Sequence, residues 1–288
     1  MRAVVTGGAG FIGSHLTERL MEMGHEVIVM DDLSAGYLDN IPKGVKGIYR
    51  YDIADIERYS HILQGTSVLF HLAASKKNIC LNDPVKDLRT NGQAAISICR
   101  ACLKEGVQRI IHFSTGSVIG ESKERVSEDS PCRPVSLYGI SKLAGENYMN
   151  YYSKYLRTTI IRPHHVYGSR QEDKDGLGGV IAIFHRRIKE GLPVKISGDG
   201  TQRRLFTHVS SIVDAAINAW LNDVAGIFNV ATNETRTINE LALMMGAKEI
   251  EMIDAAEGDI YSFNVDNTES ILKLGVKYLS LKEGLKLL

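Results

Sequence analysis

Arg2-Ala-Val-Val-Thr-Gly-Gly-Ala-Gly-Phe-Ile-Gly13 opens the chain with a short apolar run, a glycine turn and the first turn of a helix. The context turns a weak glycine pattern into a usable one, because the turn follows a strand and starts a helix. Gly7 permits the tight turn, Gly10 lets backbone approach a pyrophosphate, and Gly13 allows the helix to pack closely on the strand. The N–H groups of Phe11, Ile12 and Gly13 at the helix start supply donors and partial positive charge for an anion. The helical stretch runs from Phe11 to Met23 and stops at Gly24, and Glu26 to Met30 reads as a second strand. Asp31 and Asp32 then fall at the end of that strand. Asp31, eighteen residues beyond Gly13, is placed to accept hydrogen bonds from a ribose 2′-hydroxyl and to repel a 2′-phosphate, which favours NAD over NADP. Either carboxylate is also able to cap the following turn.

The same alternation continues outward. Ser67 to Phe70 reads as strand, Val85 to Lys104 as helix, Arg109 to Phe113 as strand, Leu137 to Tyr155 as helix and Thr158 to Ile161 as strand. Such a rhythm predicts an α/β fold: a Rossmann-type doubly wound parallel sheet with helices on both faces. After Arg162 the rhythm loosens into the Gly-rich loop Asp175-Gly-Leu-Gly-Gly179, a helix over Val180 to Glu190 and a turn at Gly198-Asp-Gly200. The expected division is a dinucleotide-binding domain over 1–162, with a return segment near 205–232 that includes a strand at Ile227 to Ala231, and a smaller C-terminal α/β substrate domain over 163–288.

Composition narrows the classes. The 34 basic residues balance 34 acidic ones in a chain of 288, which removes the footprint of a nucleic-acid or membrane-surface binder. No apolar run reaches the ~18 residues of a membrane span, and Met1 leads directly into a strand without a secretion signal. A soluble, cytoplasmic protein with reduced thiols is expected. Cys99 and Cys102 form a lone C-x-x-C in a helix-like stretch, without a second pair at zinc spacing, and read as buried small side chains. The adjacent His164 and His165 point apart on an extended chain, so no metal is expected.

Tyr138 and Lys142 stand in Tyr-Gly-Ile-Ser-Lys, and the four-residue spacing puts both on one helix face. A phenol has a pKa near ~10, and an adjacent ammonium and a nicotinamide cation would stabilise its phenolate. Tyr138 would then remove a hydroxyl proton as hydride leaves the same carbon. A Tyr/Lys pair at this spacing also occurs on solvated helix faces; the glycine cradle upstream favours the chemical reading. Ser114-Thr-Gly-Ser117 directly follows the strand Arg109 to Phe113, at the carboxyl edge where open parallel sheets bind ligands. One hydroxyl there would orient the substrate oxygen.

Taken together, Thr6 to Gly13, Asp52-Ile53, His71-Leu-Ala-Ala74, Asn91, the Ser/Thr element, Tyr138/Lys142 and Ile161-Arg-Pro-His-His-Val-Tyr-Gly168 resemble the extended short-chain dehydrogenases, above all the nucleotide-sugar 4-epimerases. The resemblance implies NAD as cofactor, a nucleotide-sugar substrate, a homodimer, and Thr115, Tyr138 and Lys142 as the catalytic set. It implies that Asp52 and Ile53 lie by the adenine and that Leu72, Ala73 and Ala74 line the nicotinamide side. Lys76, Asn91 and His164 would be further cofactor contacts, and Ser117, His165 and Arg204 would face the substrate. Arg204 follows Gly198-Asp-Gly-Thr-Gln-Arg203, where a guanidinium fork suits a diphosphate.

Departures from the family pattern sit on the substrate side. His165 replaces an asparagine, Leu205 an aspartate after the arginine, Ile119 a tyrosine, and Ala256 a second arginine before Gly258-Asp259. Sugar 4,6-dehydratases of similar sequence carry Asp-Glu where this chain has Gly116 and Ser117, so dehydration lacks its acid and base. The implied reaction is epimerisation through a transient 4-keto sugar. A reductase or dehydrogenase of the same fold, or a non-catalytic binding protein, are the other readings.

Overall fold

A computed structural model of the protein describes residues 1–75, 77–122, 124–171, 178–254 and 264–288, with 77–79 by backbone alone. Among these, seven strands make one parallel sheet in the order β11-β6-β5-β4-β1-β2-β3. Its centre is β1 (Arg2–Thr6), flanked by β2 (Glu26–Met30) and β4 (Val68–His71). β3 (Gly47–Tyr49) forms one edge; β5 (Arg109–Phe113), β6 (Arg157–Pro163) and β11 (Gly226–Val230) extend the other side. Strand order therefore reverses between β1 and β4, the place where an open α/β sheet leaves a crevice at its carboxyl ends.

Both faces are apolar because both are covered. On one face Ala3, Val5, Phe70 and Ile111 pack against Leu16 and Leu20 of α1 (Phe11–Glu22) and against α7 (Val209–Leu221). On the other, Val4, Leu69 and Ile110 pack against Ile98, Cys99 and Cys102 of α4 (Ala94–Glu105) and Met149 of α5 (Leu137–Tyr152). Cys99 and Cys102 are buried free thiols, as are Cys80 and, half-buried, Cys132. Among the described residues no helix is long and apolar enough to cross a membrane.

The long helix expected over Val85 to Lys104 is present as a continuous helical run from Pro84 to Glu105, with a change of register inside it. α3 (Pro84–Leu88), N-capped by Asp83, runs into a π turn at Arg89–Gln93 before α4 begins. This turn lies flat against α5: a Cβ on Gly145 would sit 2.6 Å from the Asn91 carbonyl oxygen. α5 itself ends at Tyr152, three residues short of the expected Tyr155, in a tight turn into β6.

A second core joins Phe184 of α6 (Val180–Lys189), Ile196 of β8 (Val194–Ser197), Leu241 of α8 (Ile238–Met244) and Leu281 of α10 (Leu281–Leu285). β8 pairs in parallel with β13 (Ile250–Ile253), and β9 (Arg203–Leu205) pairs antiparallel with β12 (Thr235–Thr237). Between them the chain returns to the main sheet through α7 and β11.

One buried ion pair braces α5 on β6. Arg162 Nε and Nη2 donate to Glu146 Oε1 and Oε2 at 2.9 and 2.7 Å, with both side chains almost wholly enclosed. Glu146→Gln leaves the guanidinium charge buried without its counterion and is expected to cost about 3–5 kcal/mol in urea unfolding. A loss below about 1 kcal/mol, the range of exposed pairs, would show that the pair is not a brace.

Candidate active site

The glycine loop is built for close approach. Gly7 has φ +72°, and a Cβ there would meet Ala73 N at 2.7 Å; a Cβ on Gly13 would meet Gly7 O at 2.1 Å. Gly10 caps α1 with no side-chain bond, so the first N–H groups of the helix lack an intrahelical acceptor. Phe11 and Ile12 turn their side chains into the core, which leaves their backbone N–H groups as what they offer an anion.

Asp31 is buried at the end of β2. Its Oδ2 accepts from Ala9 N and its Oδ1 from Leu33 N, both at 2.9 Å, so it pins the glycine loop while each oxygen keeps lone pairs for a further donor. Burial pushes its pKa up, against the pull of the two N–H donors. Asp32 caps its own turn through Ser34. Asp52 caps the next one through Ala54 N.

Gly7, Gly10, Asp31, Asp32, Asp52 and Ile53 line one cleft, which continues along Leu72, Ala73 and Ala74. The donor set fits a dinucleotide: free N–H groups for phosphate, a carboxylate for ribose and apolar walls for rings. Tyr51, on a stack with Tyr59 at 3.7 Å, also lines it. Sequence reading passes over Tyr51, although its place next to Asp52 was a usable signal. Lys76, Ala256 and Gly258-Asp259 lie outside the described residues.

Thr115, Tyr138 and Lys142 converge at the carboxyl end of β5. Thr115 follows the strand, donates to Ser117 Oγ at 3.3 Å and acts on Tyr138, the second residue of α5. Lys142, almost fully buried, donates through Nζ to the Phe113 carbonyl at 2.6 Å. Ser117 is exposed, and its N–H donates to Thr115 Oγ1 at 3.2 Å. Burial brings Lys142 down to about 8, opposed by the charges of Glu146 and Asp87. Burial, with Cys80 and Asp87, pushes Tyr138 up to about 12, and only the Thr115 bond pulls the other way.

Asn91, expected as a cofactor contact, is part of a buried hydrogen-bond chain. Its amide is buried and taken up by Ser75, Asp87 and Ser141. His164 is likewise enclosed: Nε2 lies 3.4 Å from Asn229 Oδ1, and a Cβ on Gly116 would meet its Nδ1 at 2.2 Å. Burial and its neighbour His165 hold it down to about 3, so it is a neutral wedge under Gly116. His165 turns outward with φ +43°. It is exposed, and Arg204 acts on its ring, so these two substrate candidates are neighbours. Among the described residues no group of three metal-ligating side chains comes together.

Two departures from the family pattern meet. Ile119 and Leu205 are both buried in one apolar cluster with Val118 and Ala231. They amount to one exchange of polar for apolar packing beside the site, not two separate losses.

A crevice at the strand-order reversal, with a glycine cradle at one end and a Thr-Tyr-Lys set at the other, defines a dinucleotide-dependent enzyme acting on an alcohol carbon. The model of the NAD dependent epimerase/dehydratase family matches residues 3–231, and the chain belongs to that family. It is 36% identical to a UDP-glucose 4-epimerase of Mycolicibacterium smegmatis, over 99% of this chain and 96% of the relative. Two solved structures are similar throughout. UDP-glucose 4-epimerase of Thermotoga maritima with UDP-glucose has a TM-score of 0.93 and 35% identity, covering 100% of this chain and 97% of that one. UDP-glucose 4-epimerase of Thermus thermophilus in complex with NAD has a TM-score of 0.90 and 33% identity, covering 100% and 97%.

Proposed function

We propose that the protein is an NAD-dependent epimerase that inverts C4 of a nucleotide-activated sugar through a transient 4-keto intermediate. The observation that carries this reading is the meeting of Thr115, Tyr138 and Lys142 at the carboxyl edge of β5, with a glycine and a neutral imidazole where an eliminating acid would stand. The glycine loop and Asp31 would hold NAD, which when bound would supply the hydride acceptor and donor for C4. Tyr138 takes the proton of the sugar 4-hydroxyl in the first half of the cycle and gives it back in the second. Thr115 holds the reacting oxygen and shares its hydrogen bond with the Tyr138 oxygen. Lys142, fixed on the Phe113 carbonyl, brings positive charge to the same spot and favours the phenolate. Arg204 and His165 face the diphosphate and sugar. Return of the hydride to the opposite face requires the keto sugar to turn within the pocket.

UDP-glucose, bound in the solved Thermotoga structure, is the first compound to test, with UDP-, dTDP- and GDP-hexoses beside it. The expected result is an isomer of unchanged mass with no accumulated NADH, and Tyr138→Phe slower by two orders of magnitude or more. Net NADH would mark a dehydrogenase instead, and silence across the panel a binding protein. Near wild-type turnover of Tyr138→Phe would sink the assignment of the base.

The same reading includes a homodimer in a cytoplasmic setting, where four free thiols stay reduced. Val85 and Leu88 of α3 and Leu137, Ile140, Tyr148 and Tyr151 of α5 leave apolar surface exposed on neighbouring helices. Light scattering at micromolar concentration is expected to give twice the 31.8 kDa chain mass, and a monomer would remove the dimer.

A further inference from the structure

Behind the catalytic pair lies a buried carboxylate that the reaction as written does not use. Asp87 of α3 is 1% exposed. Its Oδ1 accepts from Ser75 Oγ, from Cys80 Sγ at 2.7 Å and from Asn91 Nδ2 at 2.9 Å. Burial and Asp87 push the Cys80 thiol up to about 11, so it stays protonated and able to donate. Asn91 Oδ1 accepts from Ser75 N at 3.3 Å, and its Nδ2 lies 2.9 Å from Ser141 Oγ. Ser141 in turn donates to the Tyr138 carbonyl at 3.0 Å. One carboxylate oxygen thus ties the exit of β4, α2 (Lys77–Asn82), the π turn and the first turn of α5 together.

We propose that Asp87 is a positioning residue for the reaction: its carboxylate clamps the Ser75–Asn91–Ser141 chain under Tyr138 and sets the negative potential felt by the Tyr138–Lys142 pair. The proposal rests on the assignment of that pair as the acid–base machinery. Among the described residues the groups facing the pair are few. Tyr138 faces Cys80, Asp87 and Thr115. Lys142 faces Asp87 and Glu146, and it acts on His71 and His112 behind it. Glu146 is already held in two bonds by Arg162, and burial keeps both histidines neutral. Among the described residues Asp87 is the carboxylate that acts on both members of the pair: its charge opposes ionisation of the phenol and favours the ammonium.

Asp87→Asn keeps an acceptor oxygen and removes the charge. Tyr138 then ionises at lower pH and Lys142 loses its proton at lower pH. In the NAD-saturated protein both limbs of the kcat–pH profile are expected to move to lower pH by about one unit. The phenolate absorbance of wild type minus Tyr138→Phe is expected to move the same way. A variant slowed but with both limbs in place would reduce Asp87 to a structural role and overturn the proposal. Should Asp87→Asn fail to fold, Ser75→Ala keeps the charge and removes one of its donors, so both limbs move to higher pH; no movement, or movement to lower pH, overturns it equally. The phenolate titration needs no substrate. Activity surviving in Tyr138→Phe would therefore bring down the reading of the base while the Asp87 coupling is still decided.

Discussion

The hydrogen bond from Lys142 Nζ to the Phe113 carbonyl is the contact on which the site depends. An ammonium this deeply buried is costly unless paired, and here one backbone oxygen and the charges of Glu146 and Asp87 offset the burial. The bond fastens α5 to the end of β5, and the fastening brings Tyr138 over Thr115. The Glu146–Arg162 pair locks the same helix to β6 further along. With α5 held at two points, the catalytic side chains stand on rigid elements, and the glycine loop across the crevice supplies a fixed place for a dinucleotide.

The constraint also explains how the reaction is narrowed. His164 stands against Gly116, where a Cβ would meet its Nδ1 at 2.2 Å, so a larger side chain at that position would require His164 to move. On the substrate side Ile119 and Leu205 replace polar residues together within one apolar cluster. Arg204 and the exposed His165 are the polar side chains that we propose face the substrate there.

Much of this was legible in the residues. The strand–turn–helix at Arg2 to Gly13, the alternation that followed and the strand ends carrying Asp31 and Thr115 are local signals, and local signals survive folding when both faces of a sheet are covered. The spacing of Tyr138 and Lys142 was legible for the same reason. What was not legible depends on partners distant in the chain. The π turn at Arg89–Gln93 packs closely on α5 at Gly145, and nothing within 89–93 announces it. The roles of Asn91 and Asp87 emerge only when Ser75 and Ser141 arrive from elsewhere. The burial that raises the Tyr138 phenol in the protein alone is likewise invisible in spacing.

Internal return of one hydride is the central claim, and isotope retention tests it most directly. A nucleotide hexose carrying deuterium at C4 is incubated in ordinary water with the NAD-loaded protein, and both epimers are analysed by mass and NMR. Internal return predicts that the new epimer keeps the deuterium at C4 without release of NADH. Loss of the label to solvent, or an epimer inverted at another carbon with the C4 label untouched, would contradict it.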